Sequence, residues 1–161
     1  CRRDHSLQRS HLRAAIRPAC CPASPERGEA LGQQLRYTLP TMAVGWNASQ
    51  RREVEASLAR YPHTSGRCAQ AAREILPVAK ALDPQAHALL VEPGLAFARY
   101  VLPRHRPRPE WHHHVLVEVV AHGVDALTGP DGHPLMDYLA TYFDAPQAHR
   151  VRAVDLGRDD L

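Results

Sequence analysis

The spacing of apolar residues changes along the chain from a helical period to strand-like alternation. Asn47 and Gln50 form a capping-box pattern, and the apolar residues after them recur every three to four positions up to Tyr61, which predicts an amphipathic helix. A second helix is predicted to follow, with Thr64 or Ser65 as its cap. The apolar face of this second helix carries Cys68, Ala71, Ala72, Ile75, Ala79 and Leu82.

Short apolar runs replace the helical period farther along the chain. Residues 87–91 and 112–119 predict two strands, and the second alternates β-branched residues with others. Another strand is predicted at 124–128, a turn at 129–132, and a last helix that starts at Pro134. Two helices followed by strands predict an α+β fold with an antiparallel sheet.

Two stretches of the chain lack a sustained period. Residues 1–44 are rich in Arg, Pro, Ser and Gln, so we expect a leader that is disordered or not native to the protein. Residues 144–161 are polar apart from Val151 and Val154, and we expect an irregular tail there. The 161-residue chain therefore predicts one folded domain over residues 45–143.

Charge and composition exclude several classes of protein. The net charge of +3 is modest and comes from arginine, because Lys80 is the only lysine, so we do not expect a nucleic-acid partner. We expect neither a membrane span nor a signal peptide, since the chain has no long apolar run. Cys1, Cys20 and Cys21 all fall in the leader, which argues against a disulfide framework.

Cys68 stands at the start of the second predicted helix. The helix dipole and the free backbone N–H groups there favour a thiolate, and the neighbouring Arg67 acts in the same direction. A thiolate nucleophile also needs a general base, which histidine supplies near neutral pH, and an acid or amide that orients the imidazole. The alternative is that Cys68 is a small buried hydrophobic residue on an alanine-rich face.

Three consecutive histidines are candidates for the base. Strand alternation places His112 and His114 on the same face as Glu118, and His113 on the face of the valines. The polar face is the one expected to carry chemistry, which favours His114, while His113 remains a rival.

Asp125 is the candidate orienting acid, and the turn before it decides whether it can act. A tight turn at His122-Gly123 would place Asp125 opposite Val120, roughly 20 Å from His114 at ~3.3 Å per residue. A turn near Val120-Ala121, or a β-bulge, would bring the carboxylate within reach. Both alternatives are open from the sequence.

Three segments together resemble the papain-fold toxin domains of bacterial polymorphic toxin systems. The segments are Ser65-Gly-Arg-Cys68-Ala-Gln-Ala-Ala72, His114-Val-Leu-Val-Glu-Val119 and Val124-Asp125-Ala-Leu-Thr-Gly-Pro-Asp-Gly132. The recurrent pattern of that family is a Cys at a helix start, a His-Val-x-Val strand, and a Val-Asp strand that leads into a Thr-Gly-Pro-x-Gly turn. The resemblance covers roughly residues 60–143, and the same Cys, His, Asp order is more distantly similar to arylamine N-acetyltransferases and transglutaminase-like proteins.

The resemblance implies a papain-like α+β domain with N-terminal helices packed on an antiparallel sheet. It implies Cys68 as nucleophile, His114 as base and Asp125 as orienting acid, with no cofactor. The reaction would be peptide cleavage, glutamine deamidation or acyl transfer on a host or competitor protein. A cognate immunity protein would be a further partner, and the domain would act in the bacterial cytoplasm or as a secreted effector.

Two other hypotheses come from different classes of function. In the first, His112 and His114 bind zinc together with His122 or Asp125, because alternate strand residues can share a metal ion. In the second, the domain is a non-catalytic papain-like interaction module whose triad is out of register.

Overall fold

The computed structural model describes residues 43–105, 110–159 and 161. Its principal elements are α1 (Ala48–Arg60), α2 (Cys68–Leu82), β1 (His87–Pro93), β2 (His114–Val119), β3 (His122–Asp125), β4 (Gly129–Pro134), α3 (Leu135–Tyr142) and β5 (His149–Val154). The five strands pair antiparallel in the order β4-β3-β2-β1-β5. The predicted α+β class with an antiparallel sheet is therefore confirmed.

Helices cover the two faces of this sheet with different side chains. Helix α2 faces the sheet with small residues, which let its backbone approach β2 closely. Its packed layer includes Ala69, Ala71, Ala72, Ile75 and Ala79 from the helix and Val115, Val117, Val119 and Val124 from the sheet. Helix α3 lies against the opposite face, where the buried cluster comprises Leu89, Val91, Val101, Leu116, Tyr138 and Phe143. No helix in the described residues is long and apolar enough to cross a membrane.

The starts of the first two helices have different causes. Asn47 caps α1 as predicted: its side chain accepts the N–H groups of Ser49 and Gln50, and Gln50 accepts the N–H of Asn47. The prediction that Thr64 or Ser65 caps α2 is wrong, because a short 3-10 turn occupies His63–Ser65. Helix α2 instead begins at Cys68, so the thiol lies in its first turn.

The turn between β2 and β3 takes the earlier of the two predicted positions. Val120 and Ala121 form it with φ angles of 48° and 59°, the left-handed pair that a two-residue hairpin turn requires. Val119 then pairs with His122, and Val117 pairs with Val124. Asp83 supports the turn, since its carboxylate accepts the N–H of Val120 at 2.9 Å.

The predicted turn at residues 129–132 is wrong, because Gly129–Pro134 forms strand β4. The reversal lies just before it, between β3 and β4. There the Asp125 side chain accepts the N–H groups of Leu127 and Thr128, and the Thr128 hydroxyl accepts the N–H of Asp125. Asp125 and Thr128 therefore stabilise the chain reversal that the Gly-Pro-Asp-Gly composition predicted a few residues later.

The predicted boundaries of the folded domain are too narrow at both ends. Strand β5 lies within the supposed tail of residues 144–161 and pairs with β1 along its whole length, from Ala88↔Val154 to Pro93↔His149. Its alternation is weak because it is a largely exposed strand at the side of the sheet, so backbone pairing rather than an apolar face holds it. Val44 is buried and donates its N–H to Asp131, so the fold includes this residue. The rest of the predicted leader, residues 1–42, lies outside the described residues.

Candidate active site

Three chain positions predicted to act together meet where helix α2 and two strands begin or end. Cys68 is the first residue of α2, His114 is the first residue of β2, and Asp125 is the last residue of β3. All three line one cavity of about 180 Å³. The geometry therefore brings together all three residues of the predicted triad.

The hairpin register explains how His114 reaches Asp125. Since Val117 pairs with Val124, Asp125 continues opposite Leu116 and shares a face with His114. Nε2 of His114 lies 2.6 Å from Oδ2 of Asp125. The residues are only 1% and 3% exposed, so this hydrogen bond lies away from water.

Four donors surround the Asp125 carboxylate. Oδ1 accepts the backbone N–H of Leu127 at 2.8 Å and that of Thr128 at 2.9 Å, while Oδ2 accepts His114 and the hydroxyl of Tyr138. Burial raises the pKa of the carboxyl, but the hydrogen bond and charge of His114 and the other donors outweigh it, so the pKa of Asp125 is lowered. The side chain is thus a buried, fully hydrogen-bonded carboxylate.

Tyr138 is the part of the site that the sequence analysis missed. Its ring is buried in the cluster on the α3 side of the sheet. Burial, followed by the charge of Asp125, raises the pKa of Tyr138 well above its ordinary value, so the hydroxyl stays protonated and donates. A signal was present, because Tyr138 falls between Leu135 and Leu139 on the inward face of α3, where a buried tyrosine hydroxyl needs a partner.

The second nitrogen of His114 is left for Cys68. Nδ1 is buried and has no hydrogen-bond partner of acceptable geometry among the described residues. The thiol is nevertheless close enough for the two groups to change each other's pKa. Nδ1 is therefore available to the thiol, and catalytic hydrogen bonds commonly tighten only when substrate binds.

The electrostatics of the site favour a charged pair. Burial raises the pKa of the Cys68 thiol, but interaction with His114 and with the N–H groups of Val115 and Ala69 outweighs it, so the pKa is lowered. Burial lowers the pKa of His114, yet Asp125 and Cys68 together raise it to about 10. Both shifts act in the same direction, toward a thiolate beside an imidazolium, with the Asp125 carboxylate behind it.

Aromatic rings hold the imidazole on its other sides. The Trp111 ring stacks on His114 with centroids 4.8 Å apart and an angle of 14°, and the Phe143 ring lies 6.2 Å away. A stacked indole attracts an imidazolium and keeps water from its face. Trp111 therefore favours the same charged form of His114.

The rival histidines lie in different surroundings. His113 lines the cavity half-buried, and burial, with the charge of His114, lowers its pKa. His112 is exposed and packs against Tyr100. His122 pairs with Val119, five positions along the hairpin from His114, or roughly 16 Å at ~3.3 Å per residue.

These positions do not assemble the zinc ligands proposed from the sequence. His122 is too far from His114 to share a metal ion. Within residues 43–105, 110–159 and 161, no three His, Cys, Asp or Glu side chains are placed to hold one.

Protein-family models, curated proteins and solved structures were compared with the chain, and none of the three comparisons found a match.

Proposed function

We propose that this domain is a papain-like thiol enzyme that acts on an amide bond. Cys68 is the nucleophile, His114 the general acid and base, and Asp125 the carboxylate that orients the imidazole. The observation that carries the proposal is one buried imidazole between two groups: Nε2 binds Asp125 at 2.6 Å, and the unpartnered Nδ1 is left for Cys68. A helix that starts at the cysteine and packs on an antiparallel sheet supports the papain-like arrangement.

The proposed reaction has two stages. The Cys68 thiolate attacks the carbonyl carbon, forming a C–S bond and moving the carbonyl electron pair onto oxygen. When the C=O bond forms again, the C–N bond breaks and Nδ1 of His114 gives its proton to the leaving nitrogen. His114 then takes a proton from water, which attacks the thioester and releases the acid and the Cys68 thiolate.

The start of α2 supplies a donor for the oxyanion. The first N–H groups of a helix have no partner within the helix, and that of Cys68 lies next to the reacting sulfur. We assign this N–H to the developing negative charge.

Peptide cleavage, glutamine deamidation and acyl transfer all pass through the same thioester, so the proposal is for this class of reaction. Resemblance in the three sequence segments supports a more specific proposal, that the domain is a bacterial effector toxin. Its substrate would then be a host or competitor protein, and an immunity protein would bind it.

Alkylation of the native protein tests the site without a known substrate. Iodoacetamide at pH 7, followed by mass spectrometry of peptides, is expected to label Cys68 faster than an ordinary thiol because it carries more thiolate. His114→Gln removes the imidazolium and should slow the labelling of Cys68 about tenfold or more, since each pH unit of thiol pKa changes the thiolate fraction about tenfold.

His113→Gln is the matched control, because His113 lines the same cavity and neighbours His114 in the sequence. We expect this variant to label like the wild type. An inert Cys68, or equal labelling rates in the wild type and His114→Gln, would contradict the proposed enzyme and favour a non-catalytic module.

A further inference from the structure

The Tyr138 hydroxyl forms a buried hydrogen bond, and its loss would leave a polar group without a partner. Its hydroxyl donates to Oδ2 of Asp125, the same oxygen that accepts Nε2–H of His114. Both Tyr138 and Asp125 are at most 3% exposed, so bulk water cannot replace the tyrosine donor. The hydroxyl therefore acts directly on the oxygen that holds the imidazole.

The two oxygens of Asp125 are held by different means. Oδ1 is bound by backbone N–H groups of the β3–β4 turn, which any residue except proline could supply at those positions. Oδ2 is bound only by side chains in the described residues, His114 from β2 and Tyr138 from α3. The hydrogen bonding of Oδ2 thus depends on the packing of α3 against the sheet.

We propose that Tyr138 is a positioning residue that acts through Asp125: its hydroxyl keeps Oδ2 ionised, so that Nε2–H of His114 stays bound and Nδ1 stays turned toward Cys68. The inference rests on the proposed thiol chemistry for its catalytic meaning. A protonated Asp125 would be a poorer acceptor, and the imidazole would lose the bond that sets its tautomer and orientation.

The charged and titratable groups around Asp125 come from three elements. His114 on β2 bonds to it directly, and Cys68 on α2 lies beyond the imidazole. Tyr138 and Tyr142 both lie on α3, and burial, followed by the charge of Asp125, raises the pKa of each hydroxyl. Only Tyr138 of this tyrosine pair bonds to the carboxylate, which provides an internal control.

Tyr138→Phe keeps the ring and removes the single donor. Titration of Asp125 by carbon NMR, assigned with Asp125→Asn, is expected to show its pKa about one to two pH units higher than in the wild type, the size of effect expected for one lost hydrogen bond to a charged group. The pH below which His114 no longer accelerates the alkylation of Cys68 should rise together with the pKa of Asp125. Tyr142→Phe should move neither, because it removes a hydroxyl from the same helix without touching Oδ2.

A tyrosine that only fills space would leave the pKa of Asp125 unchanged in Tyr138→Phe, and that result would overturn the proposal. If acid unfolds the protein before Asp125 titrates, the pH midpoint of unfolding becomes the measurement. It should rise in Tyr138→Phe and stay in place in Tyr142→Phe, because stability from a lowered carboxyl pKa is lost as pH falls through it. If the wild-type protein fails the alkylation test, the proposed enzyme is rejected. The titration would still test, independently, whether the Tyr138 hydroxyl lowers the pKa of Asp125.

Discussion

Two histidine–carboxylate pairs join neighbouring strands of the same sheet in very different surroundings. His114 and Asp125 link β2 to β3 with 2.6 Å between Nε2 and Oδ2, and their side chains are 1% and 4% exposed. His87 and Glu118 link β1 to β2 with 3.3 Å between Nε2 and Oε2, and their side chains are 45% and 26% exposed. Both pairs join an imidazole to a carboxylate, and they differ in how far they are buried.

The difference shows what makes a histidine–carboxylate pair useful. Solvent screens the His87–Glu118 pair, and such exposed pairs contribute little. The buried pair must satisfy its charges from the protein itself, and it does so with two backbone N–H groups, the Tyr138 hydroxyl and the nearby Cys68 thiol. Burial and these additional contacts turn a common cross-strand pair into a candidate catalytic one.

The two pairs should differ most in the stability that is lost when one carboxylate charge is removed. At pH 6, Asp125→Asn removes the buried carboxylate charge that accepts Nε2–H of His114, and we expect the free energy of unfolding to fall by about 3–5 kcal/mol. Glu118→Gln, the matched change in the exposed pair, should cost less than about 1 kcal/mol. Urea unfolding followed by tryptophan fluorescence measures both, and equal losses would show that burial does not distinguish the pairs.

The penalty for Asp125→Asn should also depend on pH. The pKa of His114 is raised from 6.5 to about 10, so its charged form contributes stability that is fully present below about 6.5 and is lost as pH rises toward about 10. The variant should therefore lose less at pH 10 than at pH 6, by about half or more. Repeating the urea unfolding at pH 10 checks this, and a loss of the same size at both pH values would argue against a coupled buried imidazolium.

The smallest effect is expected at the turn that sets the register of Asp125. Val120 and Ala121 are exposed and hold positive φ angles, which Asn and Gly adopt more easily. The double change Val120→Asn and Ala121→Gly should raise the free energy of unfolding by about 1 kcal/mol. Cys68 labelling should not change, since the pairing of β2 with β3 is kept. A change in labelling would mean that turn strain, and not burial alone, distinguishes the two pairs.

Local patterns in the sequence were sufficient for several elements. The capping box of Asn47 and Gln50 predicted the start of α1, and the apolar face of α2 predicted its packing. Alternation in β2 correctly separated His114 from the valines that pack against α2. These predictions hold because each depends on residues within one or two turns or strand positions of one another.

Other features escaped prediction because they depend on distant parts of the chain. Strand β5 has little apolar periodicity, and its place follows from backbone pairing with β1, about 60 residues earlier. The partner of Tyr138 is 13 residues away and on another element. Neither contact leaves a periodic signal in the sequence around it.

The sequence by itself determined the α+β class and the set of three candidate residues, since residue type and local period carry that information. It narrowed the β2–β3 turn to two alternatives and could not choose, because Val120 and Ala121 are unusual at positive φ. Tertiary structure decided the earlier turn, in which Val117 and Val124 pack on α2 and Asp83 binds the turn. The same packing placed Asp125 and Cys68 against the buried His114, and these contacts outweigh burial and give the imidazole its high pKa.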